Sequence, residues 1–247
     1  MCENDDISYL GKLGDESRMV DLKWYFTSLL VASRDANGEV LAKWYHYLLT
    51  AIDHHVAYEK GMRIGRRLES QGCEYVGIGE LLLVHETPKD GAEILWSQKE
   101  MSPRDFDSLL LDAKVDREAS ASSQSGWYLG SVVLREVHDE GSHGDRLLVW
   151  INSYMIEAKT FEDAYEKTAR LGAEQQDEPG SHLCNGQKSH WEFKGIQDVV
   201  SLQDPPGDIA LLWSEELTAT TPELERLIPN KSALGVFEWE EEQLHRE

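Results

Sequence analysis

The chain has 247 residues, enough for one large domain or two of ordinary size, and its 40% hydrophobic content is that of a globular protein. No apolar run approaches the roughly 18 residues of a membrane span, so a membrane partner is not expected. Its 46 acidic against 24 basic residues leave a net charge of −22, which repels phosphate backbones, argues against nucleic acid as a direct partner and favours a basic protein surface.

From the amino terminus, residues 1–22 form an extension. Its opening, Met1-Cys2-Glu3-Asn4-Asp5-Asp6, lacks the basic and apolar regions of a secretory signal, so a cytoplasmic location is expected. The three cysteines (Cys2, Cys73 and Cys184) are scattered and odd in number, as reduced thiols rather than a disulfide framework would be. Residues 24–32 are aromatic and β-branched and predict a strand; a turn at Asp35-Ala36-Asn37-Gly38 leads into a second strand over 40–52. Ala57, Gly61, Ile64 and Leu68 then mark one face of a helix that Asp53 can cap. Further strands are predicted over 75–85 and 92–98, joined by the turn Pro88-Lys89-Asp90-Gly91, and Ser102-Pro103 opens a short helix.

After residues 112–125, a small polar segment that reads as a flexible linker, the same series returns. Strands are predicted over 127–134 and 146–159 around the turn-rich residues 139–145. A helix follows, opened by Thr160-Phe161-Glu162-Asp163, then strands over 190–203 and 209–214 with Pro205-Pro206-Gly207-Asp208 between them, and a short helix after Thr221-Pro222. The long Gly-containing stretch from 175 to 189 reads as a surface loop.

The recurrence extends to residues. Trp24-Tyr25 returns as Trp127-Tyr128, and residues 47–65 align without a gap on 154–172 with eight identities in nineteen positions, Ala-Tyr-Glu-Lys among them. Tyr75-Val76-Gly77-Ile78 aligns with Phe193-Lys194-Gly195-Ile196, and Leu95-Trp96-Ser97 with Leu212-Trp213-Ser214. The order is kept, as in a tandem duplication. The expected architecture is α+β: two related ββαββα units with antiparallel sheets, residues 23–111 and 126–228, packed as a pseudodimer, with an acidic tail over 229–247. The Trp-Tyr, Ala-Tyr-Glu-Lys, aromatic-x-Gly-Ile and Leu-Trp-Ser blocks resemble the bacterial domain family DUF4288, in two copies. That resemblance implies a domain and no assigned activity.

Catalytic, cofactor and metal sites are not expected. Gly77-Ile78-Gly79-Glu80 lies inside a strand rather than opening a helix, and there is no Gly-x-Ser-x-Gly elbow. His182-Leu183-Cys184 with His190 has the wrong spacing for a zinc finger, and His54-His55 has Phe161-Glu162 at the aligned positions. What stands out is the tail, where Phe237 and Trp239 alternate with acid before Glu240, Glu241 and Glu242, so that aromatics could anchor and carboxylates meet a basic surface. The expected function is a non-catalytic acidic protein-binding module, such as an immunity or inhibitor protein for a basic partner. The alternative is a small-molecule enzyme using a cleft between the units, with Tyr58, Glu59, Tyr165 and Glu166 as its polar groups. Homo-oligomerisation is a further expectation.

Overall fold

The structure is a computed structural model and describes residues 21–34, 40–69, 73–111, 126–138, 147–184, 186–218, 223 and 226–237. The turns at 35–38 and 139–145, the linker 112–125, the helix start at Thr221 and the tail residues Trp239, Glu240, Glu241 and Glu242 lie outside the described residues, as does the extension up to residue 20.

The elements are β1 (Lys23–Arg34), β2 (Val40–Ala51), α1 (His54–Glu69), β3 (Glu74–Val84), β4 (Glu93–Met101), α2 (Pro103–Leu111), β5 (Trp127–His138), β6 (Leu147–Glu157), α3 (Phe161–Glu174), β7 (His182–Cys184), β8 (Gln187–Ser201) and β9 (Ile209–Thr218). The helices begin where capping chemistry allows. Asp53 Oδ1 accepts from the Val56 amide at 2.8 Å, Ser102 Oγ from Asp105 at 3.2 Å, and Thr160 Oγ1 from Asp163 at 3.1 Å. Among the described residues no helix is long and apolar enough to cross a membrane.

The strands form two antiparallel sheets, β3-β1-β2-β9 and β4-β6-β5-β8-β7. Neither sheet is built from one of the two predicted segments alone: β4 leaves the first segment to pair with β6, and β9 leaves the second to pair with β2. Short turns join each of these strands to the strand before it, yet the two fall in different sheets.

Side-chain alternation sets the layers. On β1, Tyr25 and Leu29 face Ala57 and Ile64 of α1, while Phe26 faces the other way. On β5, Tyr128 and Val132 face Ala164 of α3, while Leu129 faces the other way. Phe26, Leu48, Val84, Ala92, Ile94, Leu129, Met155, Leu202, Ala210 and Leu212 then form one buried cluster drawn from both sheets, so the order through the molecule is helix, sheet, sheet, helix.

The turns that send β4 and β9 across are held alike. Lys60 Nζ donates to the Thr50 carbonyl at 2.6 Å and to Asp208 Oδ1 at 2.8 Å; Lys167 Nζ donates to the Glu157 carbonyl at 2.5 Å and to Asp90 Oδ2 at 2.8 Å. Thr50 also donates to Asp208. These are the lysines of the two Ala-Tyr-Glu-Lys blocks. The Lys60 and Thr50 bonds hold the Asp208 carboxyl below its usual range, and at Asp90 the Lys167 and Glu157 bonds outweigh the opposing effect of burial.

One sequence alignment fails in the ladders. Tyr47 pairs with Leu211 and His46 with Trp213, whereas Tyr154 pairs with Glu93 and Ser153 with Leu95. With Tyr47 and Tyr154 aligned, Trp213 stands where Leu95 does, one residue out of step with the Leu-Trp-Ser match. A one-residue slip turns a side chain to the other face. Trp213 therefore packs inward against Phe26 and His46, with centroids 5.8 and 4.3 Å away, while Trp96 points outward and is 59% exposed.

His46 lies between those rings, and Ser28 Oγ sits 2.9 Å from its Nδ1. Burial pushes its pKa down to about 4, against an opposing pull from Glu215. Between pH 6.5 and 4 the unfolded chain thus binds a proton that the folded chain refuses. Stability from this residue is present above pH 6.5 and is lost as pH falls towards 4, by up to about 3 kcal/mol. Urea unfolding across that window is expected to show this loss, and His46→Phe to reduce it. A His46 ring titrating above pH 6 by NMR would contradict the assignment.

Candidate functional site

Helix α3 covers only part of the second sheet. It packs on Tyr128, Val132, Tyr154, Ile156, Ile196 and Val199, and at its carboxyl end Gly172 rests on Phe193. Beyond Phe193 the same sheet face continues with no helix on it among the described residues. The ladders place Trp96, Gln98 and Glu100 of β4, Trp150 and Asn152 of β6, Glu136 and His138 of β5, Trp191 and Ser189 of β8, and His182 and Cys184 of β7 on it. Among the described residues, no strand residue turned to this side is Lys or Arg.

Aromatic rings line the uncovered part. Trp150 stacks on Trp191 with centroids 4.4 Å apart, Trp191 stacks on His182 at 5.9 Å, and Trp96 lies tilted 6.4 Å from Trp150. Trp150 Nε1 donates to Gln98 Oε1 at 2.8 Å, fixing the central ring. Asn152, cross-strand from Trp96, has a buried Oδ1 with no hydrogen-bond donor among the described residues. Tyr154 donates to Glu93 Oε2 at 3.2 Å; burial raises the Glu93 pKa and pushes the tyrosine up to about 12.

At the β7 end of this face the chemistry changes. Glu136 is only 6% exposed, and its Oε1 lies 3.1 Å from His182 Nε2. His182 Nδ1 in turn lies 3.1 Å from Ser181 Oγ and 3.6 Å from Asp177 Oδ2. His138 Nδ1 lies 2.7 Å from the Oγ of Ser189, which is fully buried. Glu136, His138 and Cys184 bring one potential ligand atom each to within 4.8 Å of one another. The Cys184 thiol is pushed up mainly by its hydrogen bond to Glu136.

His182 and Cys184 stand out in the sequence, but their partners in this cluster do not. Residues expected to form a surface loop include β7, which hairpins onto β8 and brings His182 and Cys184 to the sheet. His190, paired with Val137, faces the opposite side of β8 and is replaced in the cluster by Glu136 and His138 from a strand more than forty residues earlier. The legible signal was the alternation Leu134-x-Glu136-x-His138 at the end of a strand, where two polar residues follow the apolar series on one face.

The other predicted residues fall elsewhere. Phe237 is buried at 7% exposure against α1, with its ring 4.7, 5.2 and 5.9 Å from those of His54, His55 and Tyr58, and Lys231 Nζ sits over it at 4.7 Å. Residues 235–237 are helical. Tyr58 and Glu59 lie on α1 and Tyr165 and Glu166 on α3, helices on opposite outer faces, so they share no cleft. Tyr58 packs under Lys231 and Phe237; Glu59 and Tyr165 are exposed. Glu166 lines an open pocket of about 800 Å³ with Gly126, Asp163, Lys159, Lys167 and Arg170.

The fold and site define a mixed α/β protein with two antiparallel sheets and an exposed aromatic sheet face. Residues 127–213 match the model of a domain of unknown function, DUF4288. The match takes in β5 to β8, and with them Trp150, Trp191 and the Glu136 cluster; it detects one copy, and Trp96 lies outside it. No curated protein and no solved structure matches the chain.

Proposed function

We propose that the chain is a non-catalytic binding module that takes a basic protein segment on the aromatic face of the second sheet, as an immunity or inhibitor protein for a basic partner would. The observation that carries this reading is the exposed Trp96 beside Trp150 and Trp191, on a face whose described strand residues include Glu93 and Glu100 and no Lys or Arg. Arg or Lys side chains can lie over indole rings while pairing with carboxylates, a combination stronger than either contact alone. The overall charge of −22 would speed and orient the encounter. The tail reading keeps Trp239 and Glu240–242 as further contacts, whereas Phe237 is already engaged within the chain.

The scaffold, on this reading, is a duplicated ββαββα unit whose last strand is exchanged between copies. Supporting it are the matching orders β3-β1-β2-β9 and β8-β5-β6-β4 and the matching irregularities at Ser28/Leu29 and Ser131/Val132. The paired Lys–Asp contacts of Lys60 and Lys167 point the same way. The small-molecule alternative draws on the pocket beside Glu166.

The test is titration of the full chain with a short Lys/Arg-rich peptide and with its Asp/Glu-rich counterpart, followed by tryptophan fluorescence and calorimetry. Binding of the basic peptide in low salt is expected, weakened about tenfold or more by Trp96→Ala with Trp150→Ala. Equal response to both peptides, or indifference to the substitutions, would sink the reading.

A further inference from the structure

We propose that Glu136, His138 and Cys184 form a binding site for one divalent transition-metal ion, zinc by its donor set, a role independent of whether the aromatic face takes a basic partner. The three side chains come from β5 and β7, which flank β8. Strands two places apart are about 9.5 Å from one another, so side chains meet across the middle strand only if the residue beneath them is small. Beneath His138 that residue is Ser189, paired on its other side with His182, while Cys184 stands opposite Gln187 two residues along β8. The ligand atoms lie within 4.8 Å of one another, and a tetrahedral ion with bonds of about 2.0–2.3 Å would draw them to roughly 3.3–3.8 Å, a movement that side-chain rotation supplies.

The outer contacts are those that orient metal ligands. Ser189 Oγ holds His138 through Nδ1 at 2.7 Å, and His182 Nε2 holds Glu136 through Oε1 at 3.1 Å. Among the described residues the only ionic partner of the buried Glu136 carboxylate is His182, charged only when protonated. A dication bound by carboxylate, thiolate and neutral imidazole would neutralise that carboxylate and release the thiol proton to solvent. Thiolate with imidazole suits zinc and cobalt, and disfavours magnesium and calcium. A water molecule or His182 would complete the shell.

The test adds cobalt(II), and separately zinc(II) in competition with a chromophoric chelator, to metal-stripped, reduced full-length protein. One equivalent is expected to bind, with a thiolate-to-cobalt charge-transfer band and a higher melting temperature. Cys184→Ser should abolish the band, His138→Ala and Glu136→Gln should weaken zinc binding at least tenfold, and Ser189→Ala should weaken it about 10- to 100-fold. Cys73→Ser should change nothing. The melting temperature of each variant without metal separates loss of the site from loss of the fold. No stoichiometric binding, or binding that survives both Cys184→Ser and His138→Ala in folded protein, would overturn the assignment.

Discussion

Two fragments, residues 1–118 and 119–247, are each expected to lack a cooperative unfolding transition as monomers and to regain it on mixing. The cluster between the sheets draws Phe26, Leu48, Val84, Ala92 and Ile94 from the first fragment and Leu129, Met155, Leu202, Ala210 and Leu212 from the second. Alone, each fragment exposes its half of that cluster and holds one strand, β4 or β9, whose ladder partner among the described residues lies in the other. At about 25 cal/mol per Å² the exposed apolar surface amounts to something on the order of 5–10 kcal/mol, comparable with the whole stability of a small domain. Far-ultraviolet circular dichroism and urea unfolding of each fragment, and of the equimolar mixture, make the measurement. A monomeric fragment with its own sigmoidal transition would mean that the crossing strand is dispensable.

Gly172→Val is expected to cost about 3 kcal/mol. A Cβ at Gly172 would lie 2.3 Å from Phe193 Cε2 and 2.6 Å from Cδ2, so the ring or the helix must move. Removing glycine from a helix returns at most about 1 kcal/mol, and less for a β-branched residue, while overpacking of this kind costs about 1–3 kcal/mol or more, so the clash decides the sign. Gly65 stands in the same relation to Tyr75, with a Cβ distance of 2.3 Å to its ring, and Gly65→Val should behave alike. In a double-mutant cycle, Phe193→Ala should recover more than about 1 kcal/mol of the Gly172→Val loss. Additive losses would show that the ring yields without strain.

The Gly–aromatic pairs also mark how far the fold could be read. The sequence alignment matches Gly65 with Gly172 and Tyr75 with Phe193, though not the packing of each glycine on its ring, and the helix starts at Asp53, Ser102 and Thr160 are legible because periodicity and capping are local. Strand partnership was not legible, since Pro88-Lys89-Asp90-Gly91 reads equally well as a hairpin turn and as a crossing between sheets. The Leu-Trp-Ser match misled by one residue, and in a strand one residue decides which face a tryptophan takes. The candidate site was less visible still. Glu136, His138 and Cys184 look like scattered polar residues until β7 folds back on β8, and a three-residue strand leaves almost no periodic signal.

The crossing strands also govern the order in which the protein can be finished during synthesis. Strand β2 is complete at residue 51, but the strand that covers its edge ends at residue 218. At about 5–20 residues per second, the ribosome leaves that edge bare for roughly 10–30 s. Over this interval the nascent chain presents the backbone of β2 and, inward, the faces of Phe26 and Leu48 to whatever is nearby. Pairings so distant along the chain fold slowly, and the yield of this protein should depend more on chaperones during translation than on the stability of the finished molecule.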